Sequence, residues 1–443
     1  MDRPSKLPPK WLQLDYPLLR NSLCVLPYLS YLGLAGLLIL IFALLTQFKR
    51  SALDAFTRNG LLLITGLLLL SCVLANHRAE AFLQLANFLP FFLLFSVVPF
   101  VLNSTERLEQ LAWSLVITSI PINGLALAEY LLKSAFIPRS LYRNPIVKWA
   151  RSQPHAGRAI VNFNHPNALA SYLVLILGLG LGLIVYHALR QRTDTSSASP
   201  VQTMSLLYLG TYGNLIGIFC SGSRNGLLVA IVQIVLFGLL WGLWLGGSRV
   251  IWLTSLISLG GILAGAAELG IGGRSLDPAD WADDPRLRVW SVSLSLWQQR
   301  PWFGWGLGNY KFQFADRLLT LYPACSPVRS RRAVPVECAD VAHAHNFWLT
   351  MATEAGMLVA IGLILWVGYL CFRAVNILIF RQLKTPGRAL LVGYLLAFLG
   401  CIAFACFDVT LYDSRVNTLN WVILAGIYAI VSQPHTPETI SSL

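Results

Sequence analysis

Long apolar runs alternate with short polar connections through most of this 443-residue chain. A hydrocarbon core takes about 20 apolar residues per helix. Runs of that kind fall at roughly 24–46, 57–76, 83–102, 109–132, 167–188, 204–220, 225–246, 250–271, 346–372, 388–407 and 415–432. The pattern predicts about eleven spanning helices, within a range of ten to twelve. Almost no Asp, Glu, Lys or Arg falls well inside these runs, so backbone amides can close within each helix and few charges need burial. The expected fold is all-α, a polytopic transmembrane helix bundle. It divides into N-terminal spans (1–270), one long external loop with amphipathic helices (271–345), C-terminal spans (346–432) and a flexible tail (433–443).

The polar stretch 271–345 has its own pattern. Arg274 to Pro285 is turn-like and acidic, with Asp277, Asp280, Asp283 and Asp284. After it, Leu287, Trp290, Leu294 and Trp297 recur at helical spacing, whereas Val292, Leu294 and Leu296 alternate with serines as a strand would. A helix lying in the interface is the preferred reading, because Trp favours that depth and a strand here has no evident partner. Asp284-Pro285 is a start signal and Pro301 a stop. The following Trp302 to Tyr310 carries glycines at alternate positions, 304, 306 and 308. No strand precedes this run, so a tight turn is favoured over a phosphate loop.

Composition agrees with a membrane protein. Hydrophobic residues make up 56% and charged residues 12%, against roughly 25% charged in a soluble domain, and the mean hydropathy is +0.62. Met1 to Arg20, with prolines and scattered charges, lacks the short apolar core of a cleavable signal, so the first long run is expected to remain as an anchor.

Basic residues in short connections suggest orientation. Arg373, Arg381, Lys384 and Arg388, like Arg190 and Arg192, mark an inner face and place 271–345 outside, in a plasma (inner) membrane. Two conflicts follow. The connection 133–166, also outside on this reading, carries Lys133, Arg139, Arg143, Lys148, Arg151 and Arg158 against no acidic residue. Eleven spans with an internal C-terminus also put the basic N-terminus outside, which suggests a missed segment around Trp11 to Tyr28.

The net charge of +13 is spread over many connections rather than gathered in one patch, which argues against nucleic acid. Snorkelling anchors account for part of it. The arginines near helix ends on the outer side fit an anionic substrate there. Of eight cysteines, Cys24, Cys72, Cys220, Cys371, Cys401 and Cys406 lie in apolar runs and read as small buried hydrophobes. Cys325 and Cys338 lie in the external loop, where an oxidising compartment would permit a bridge, and the pairing stays open.

Chemistry-bearing residues are few. His343-Ala344-His345-Asn346 ends the polar stretch, and imidazole is the side chain poised to move a proton near neutral pH. A surface histidine is the commoner outcome for such a residue. Cys220 to Gly226 joins two spans tightly and carries Arg224, which is either a snorkelling anchor or a bidentate phosphate clamp. Arg286 and Arg288 open the interfacial helix, an end whose dipole disfavours cations. An anion, or Asp283 and Asp284, would offset them. Glu354 lies further into an apolar run and is expected to pair with an arginine from another external turn. The two histidines at i, i+2 and the loop aspartates make no metal constellation, so neither metal nor cofactor is expected.

The order of these motifs resembles the O-antigen ligase superfamily, which includes polysaccharide polymerases and pilin oligosaccharyltransferases, and some members labelled as bicarbonate transporters. The residues are Ser223-Arg224-Asn225-Gly226, Arg286-x-x-x-Trp290, Arg300-Pro301-x-x-Gly304-x-Gly306-x-Gly308, and His345-Asn346-x-x-Leu349 with Glu354-x-Gly356. Gly157-Arg158 through Val161-Asn162-Phe163-Asn164-His165-Pro166-Asn167 also matches a motif frequent there. The resemblance implies a metal-independent, inverting glycosyltransferase. It would move a glycan from a polyprenyl-diphosphate carrier to a glycan, lipid or protein hydroxyl at the outer face. His345 would be the base, Arg224 and Arg286 (or Arg288) the diphosphate clamp, with Asn346 and Glu354 contacting substrate. A transporter of a small anion is the competing class. It would place charges or broken helices at mid-membrane in paired halves, and no such pairing is found.

Overall fold

The computed structural model describes residues 14–47, 52–133, 138–155, 157–193, 201–244, 249–270, 284–325, 338, 340–380 and 385–432. Asp277, Asp280 and Asp283, Arg381 and Lys384, part of the polar linker (194–200) and the tail (433–443) lie outside the described residues. Every regular element among the described residues is helical, and none is a strand. Among the described residues, nine helices are long and apolar enough to cross a membrane, and two shorter apolar helices, Arg224–Leu240 and Leu253–Glu268, join them.

The chain begins with α1 (Asp15–Val25), α2 (Ser30–Gln47) and α3 (Ala55–Leu74). The run read as one span at 24–46 is therefore two helices. Pro27, lying between them, has no N–H to continue a helical ladder. The Tyr16 hydroxyl donates to the Arg107 carbonyl at 3.1 Å and the Tyr28 hydroxyl to that of Thr118 at 2.6 Å. Thus α1 ascends beside α6 (Thr105–Lys133), and α2 folds back against it, with Gly33 and Gly36 leaving room for Leu26 and Ser22. The start of α1 therefore lies beside the start of α6, the end of the bundle at which Gly426 of the last helix packs against Leu108.

Next come α4 (Arg78–Gln84) and α5 (Leu89–Val101), separated by a 3-10 turn at Leu85–Asn87, then α6 and α7 (Pro145–Ser152). The centre is α8 (Pro166–Thr193), flanked by α9 (Val201–Cys220), α10 (Arg224–Trp244) and α11 (Arg249–Leu269). The polar loop supplies α12 (Pro285–Gln299) and α13 (Tyr310–Leu321). It is followed by α14 (Phe347–Glu354), α15 (Met357–Ile379), α16 (Thr385–Ala405) and α17 (Ser414–Ser432).

The expected single span 346–372 is thus broken at Ala355-Gly356, where Gly356 has φ +89. The preferred helix at 286–300 is present, with Asp284 as its N-cap, accepting from the Arg286 N–H at 2.9 Å, and Pro285 in its first turn. Cys325 and Cys338 form a disulfide. Cys406 lies past the end of α16 and is exposed, unlike the buried cysteine expected there.

Basic residues in the connection 133–166 are partly consumed by structure, which removes some of the strain on the orientation rule. Lys133 pairs with Glu129 at 2.7 Å and donates to the carbonyls of Pro154 and Arg158. Glu129 in turn accepts from the backbone N–H groups of Ile160 and Val161. A lysine satisfied this way is fixed by tertiary contacts and reports little about topology.

α8 packs most extensively on α16, and small residues set that contact. In lipid the helices gain little from the hydrophobic effect against each other, so close approach of backbones through Gly and Ala is a principal source of association. A Cβ at Gly178 would meet the Ala397 amide nitrogen at 2.3 Å, and one at Gly182 would meet Gly393 Cα at 2.4 Å. Gly182→Val should destabilise the bundle by about 1–3 kcal/mol or more through overpacking. Gly124→Ala, where nothing lies within 4 Å, should be neutral or nearly so. Thermal unfolding of the two variants in detergent checks this, and equal midpoints would refute the packing account.

Candidate active site

His345 sits in the turn that leads into α14, at φ +48. A non-glycine residue rarely adopts the left-handed region, and the cost is tolerated where surrounding contacts fix it. Those contacts are local. The Ala344 N–H donates to Thr350 Oγ1 at 3.2 Å, and that hydroxyl donates to the Asn346 carbonyl at 2.9 Å. Asn346 is the N-cap of α14, its side chain accepting from the Leu349 N–H at 3.0 Å. The backbone turn points the His345 ring at Asp408, with Nδ1 to Oδ1 at 3.1 Å. The imidazole is 33% accessible and the carboxylate 7%.

Asp408 lies in the connection between α16 and α17. Its second oxygen accepts from the Asn167 amide, and its own Val409 N–H donates to Oδ1 at 2.9 Å. Burial alone would raise its pKa, yet the His345 imidazole and these donors outweigh that and hold the carboxyl well below the usual range. Asn167 Oδ1 accepts from Arg158 at 3.0 Å, and Arg158 Nε donates to the Ser221 carbonyl at 2.8 Å. Ser221-Gly222-Ser223 is the turn into α10, where Ser223 Oγ accepts from the Gly226 N–H at 3.2 Å. A continuous chain of bonds therefore joins His345, through Asp408, Asn167 and Arg158, to the turn that carries half-buried Arg224.

Two more imidazoles face this chain. Burial pushes His165 down to about 4, with Asp408 opposing and His155, Arg158 and His345 reinforcing. Burial likewise pushes His343 down to about 4, and its ring centroid is 4.6 Å from that of His345. One ligand atom from each of His343, His345 and Asp408 lies within 4.8 Å of the others, an arrangement that could hold a metal ion. The expectation of no metal constellation considered the histidines without Asp408, which folding supplies from 63 residues away.

The two candidate arginines of α12 separate. Arg288 stands over the Tyr322 ring at 4.9 Å and approaches the sulfurs of Cys325 and Cys338 at 3.7 and 4.0 Å, so the polar loop engages it. The Arg286 guanidinium is half-exposed and forms no hydrogen bond or ion pair with the described residues. Its expected acidic neighbour Asp284 is occupied as the helix cap. The first turn of α12 is near the His345 turn, since Ala344 shares a small apolar cluster with Val289 and Val292.

Glu354 differs from expectation, because among the described residues no arginine meets it. Its carboxyl is buried and accepts from the Tyr310 N–H at 3.2 Å, the Gly308 N–H and the Tyr412 hydroxyl at 3.3 Å. The glycine run wraps the break between α14 and α15. Trp305 N–H donates to the Thr353 carbonyl at 3.0 Å, Gly306 N–H to that of Glu354 at 2.7 Å, and Met357 N–H to that of Pro301 at 2.8 Å. Gly304, Gly306 and Gly308 all have positive φ, and a Cβ on Gly304 would fall 2.2 Å from the Glu354 carbonyl oxygen. Interrupting a helix beside the membrane leaves polar backbone groups that must find partners, and this loop supplies them.

Residues 209–367 match the family model described as O-Antigen ligase. This stretch is similar to the O-antigen ligase family. No curated protein matches the chain. The matched residues include Arg224, Arg286, Arg288, His345, Asn346 and Glu354, and they bear out the resemblance read from the motifs. Arg158, Asn167 and Asp408 lie outside the matched stretch, yet they bond directly or in series to His345 inside it. The first two belong to the motif before α8 already noted in sequence. Asp408 was missed, although a carboxylate directly after an apolar run, in the short connection it shares with Asp413, was a usable signal.

The buried carboxyl of Glu354 makes the stability of the fold depend on pH. Burial raises its pKa to about 7, against donors that lower it. The unfolded chain releases this proton near its ordinary value of about 4.3, so between there and 7 the folded state binds the extra proton and stability falls as pH rises. Glu354→Gln should lose that slope. The measurement is the difference in unfolding midpoint between wild type and variant across pH 5–8, and parallel profiles would contradict the assignment.

Proposed function

We propose that this protein transfers a glycan from a polyprenyl-diphosphate carrier to a hydroxyl acceptor at the outer face of the membrane, without passing through a covalent enzyme intermediate. The observation that carries the reading is the His345–Asp408 pair, 3.1 Å apart, on a hydrogen-bonded chain leading to the Arg224 turn. The similarity of residues 209–367 to the O-antigen ligase family supports the substrate class.

With Nδ1–H donated to the Asp408 carboxylate, Nε2 of His345 is left as an acceptor for the incoming hydroxyl proton. Asp408 fixes the tautomer and stabilises the imidazolium that forms; it need not take the proton itself. The acceptor oxygen then attacks the anomeric carbon as the bond to the diphosphate oxygen breaks, inverting that centre. Negative charge grows on the leaving diphosphate. Arg224 and Arg286 are assigned to it, since a planar guanidinium binds phosphate oxygens in pairs and stays charged at every relevant pH. Arg288 is assigned to holding the external loop. Asn346 and Glu354 act by positioning: the first starts α14, and the second anchors the glycine run beneath it.

His345→Ala should lower transfer by about 10²–10⁴-fold with insertion intact, and Asp408→Asn should lower kcat with little change in KM for the donor. Arg224→Lys and Arg286→Lys should each lose on the order of 10²-fold, the scale for one preorganised charge-stabilising donor. Arg288→Lys should lower stability more than transfer. Purified protein, a lipid-linked oligosaccharide and a defined acceptor provide the assay. Wild-type rates in His345→Ala would remove the base assignment.

A further inference from the structure

We propose that His343, His345 and Asp408 form a binding site for a divalent transition-metal ion such as Zn²⁺, and that its occupation shuts off the transfer reaction. The binding claim stands on geometry alone, whereas the inhibitory consequence rests on the function proposed above.

The ligand set is two imidazoles and one carboxylate from separate parts of the fold. One ligand atom from each lies within 4.8 Å of the other two. His345 Nδ1 and Asp408 Oδ1 are 3.1 Å apart, close to the spacing of about 3.3 Å between neighbouring ligands held roughly 2.0–2.2 Å from a tetrahedral zinc. The i, i+2 spacing and the positive φ of His345 bring the two rings to one side, with centroids 4.6 Å apart. Asp408 is also oriented from behind. Asn167 holds its second oxygen, and such outer partners aim and strengthen metal ligands. The imidazole of His345 is one-third accessible, which leaves a path for an ion.

Three protein ligands leave a fourth position to solvent. Imidazole donors favour zinc, copper or nickel over magnesium and calcium, which prefer oxygen. An ion on His345 Nδ1 replaces the Nδ1–H bond to Asp408 and leaves the ring proton on Nε2, so that the acceptor for the hydroxyl proton is lost, and it also neutralises the carboxylate charge. It also ties the turn before α14 to the connection between α16 and α17.

The test uses full-length, tag-free protein in lipid nanodiscs. Zn²⁺ binding is followed by calorimetry, and Co²⁺ is used as a spectroscopic probe of the ligands. Saturable 1:1 binding that Mg²⁺ does not compete, weakened at least about tenfold in His343→Gln and in Asp408→Asn but unchanged in His155→Gln, supports the site. Absence of saturable binding, or affinity unaltered in both ligand variants, overturns it. His343→Gln, at a half-exposed position, keeps the test decisive should Asp408→Asn fail to fold. Transfer is measured separately, each protein against its own metal-free rate. Wild type should be inhibited reversibly by Zn²⁺ and restored by chelator, with the inhibiting concentration raised at least tenfold in His343→Gln. A protein that binds zinc but transfers no glycan would sink the function and leave the site standing. Active protein with zinc-insensitive transfer would overturn the inhibition.

Discussion

A carboxylate removed from water must be met by donors or by positive charge, or it costs several kcal/mol. Asp408 meets this demand with His345, Asn167 and the Val409 amide. Because Asn167 also receives Arg158, and Arg158 holds the Ser221 carbonyl, satisfying one buried charge aligns the start of α8, the turn into α10 and the turn into α14. The arrangement resembles the supporting layer of a designed site: the reactive ring is held by groups that are themselves held. Removing one member would leave its neighbour unpaired, so the chain is expected to respond as a unit rather than residue by residue.

The second constraint is the broken helix. Continuing α14 into α15 without interruption would carry the chain straight into the bundle. The break at Ala355-Gly356 instead leaves α14 as a short helix whose N-cap follows directly on His345. Three glycines with positive φ allow the loop backbone to approach the break closely enough to satisfy its amides and carbonyls. Ser71 of α3 adds a hydroxyl to the carbonyls of Phe303 and Glu354. The polar loop is thus tied to the membrane helices through backbone, and its later part is held by the Cys325–Cys338 disulfide with Arg288 against it.

Sequence reading succeeded where a local pattern is enforced by a local cost. Hydrocarbon length fixes the spans, and Asp284-Pro285 starts α12 because cap and proline act within one turn. It faltered at breaks. Gly356 was visible, but a glycine in an apolar run is compatible with an unbroken helix until another segment arrives to bond its freed groups. Glu354 shows the same limit: a buried carboxylate announces a partner but not its identity, and backbone amides leave no trace in residue type. The glycine run was read as a simple turn because its use, clamping a helix break, lies some 50 positions downstream in the sequence (roughly Trp305 to Thr353).

By itself, then, the amino-acid order determined that this is a helical membrane bundle with one long polar segment, that His345 and Arg224 stand at the ends of apolar runs, and which family the motifs match. Those features follow from periodicity, hydropathy and short-range capping, all of which act over a few residues. Only the tertiary structure decided that Asp408 faces His345, that Asn167 and Arg158 extend the chain, and that Arg288 is engaged by Tyr322 and the disulfide. The reason is that hydrogen bonds between distant segments depend on how helices are registered against one another. That register is set by the close backbone contact of α8 with α16, which no single segment encodes.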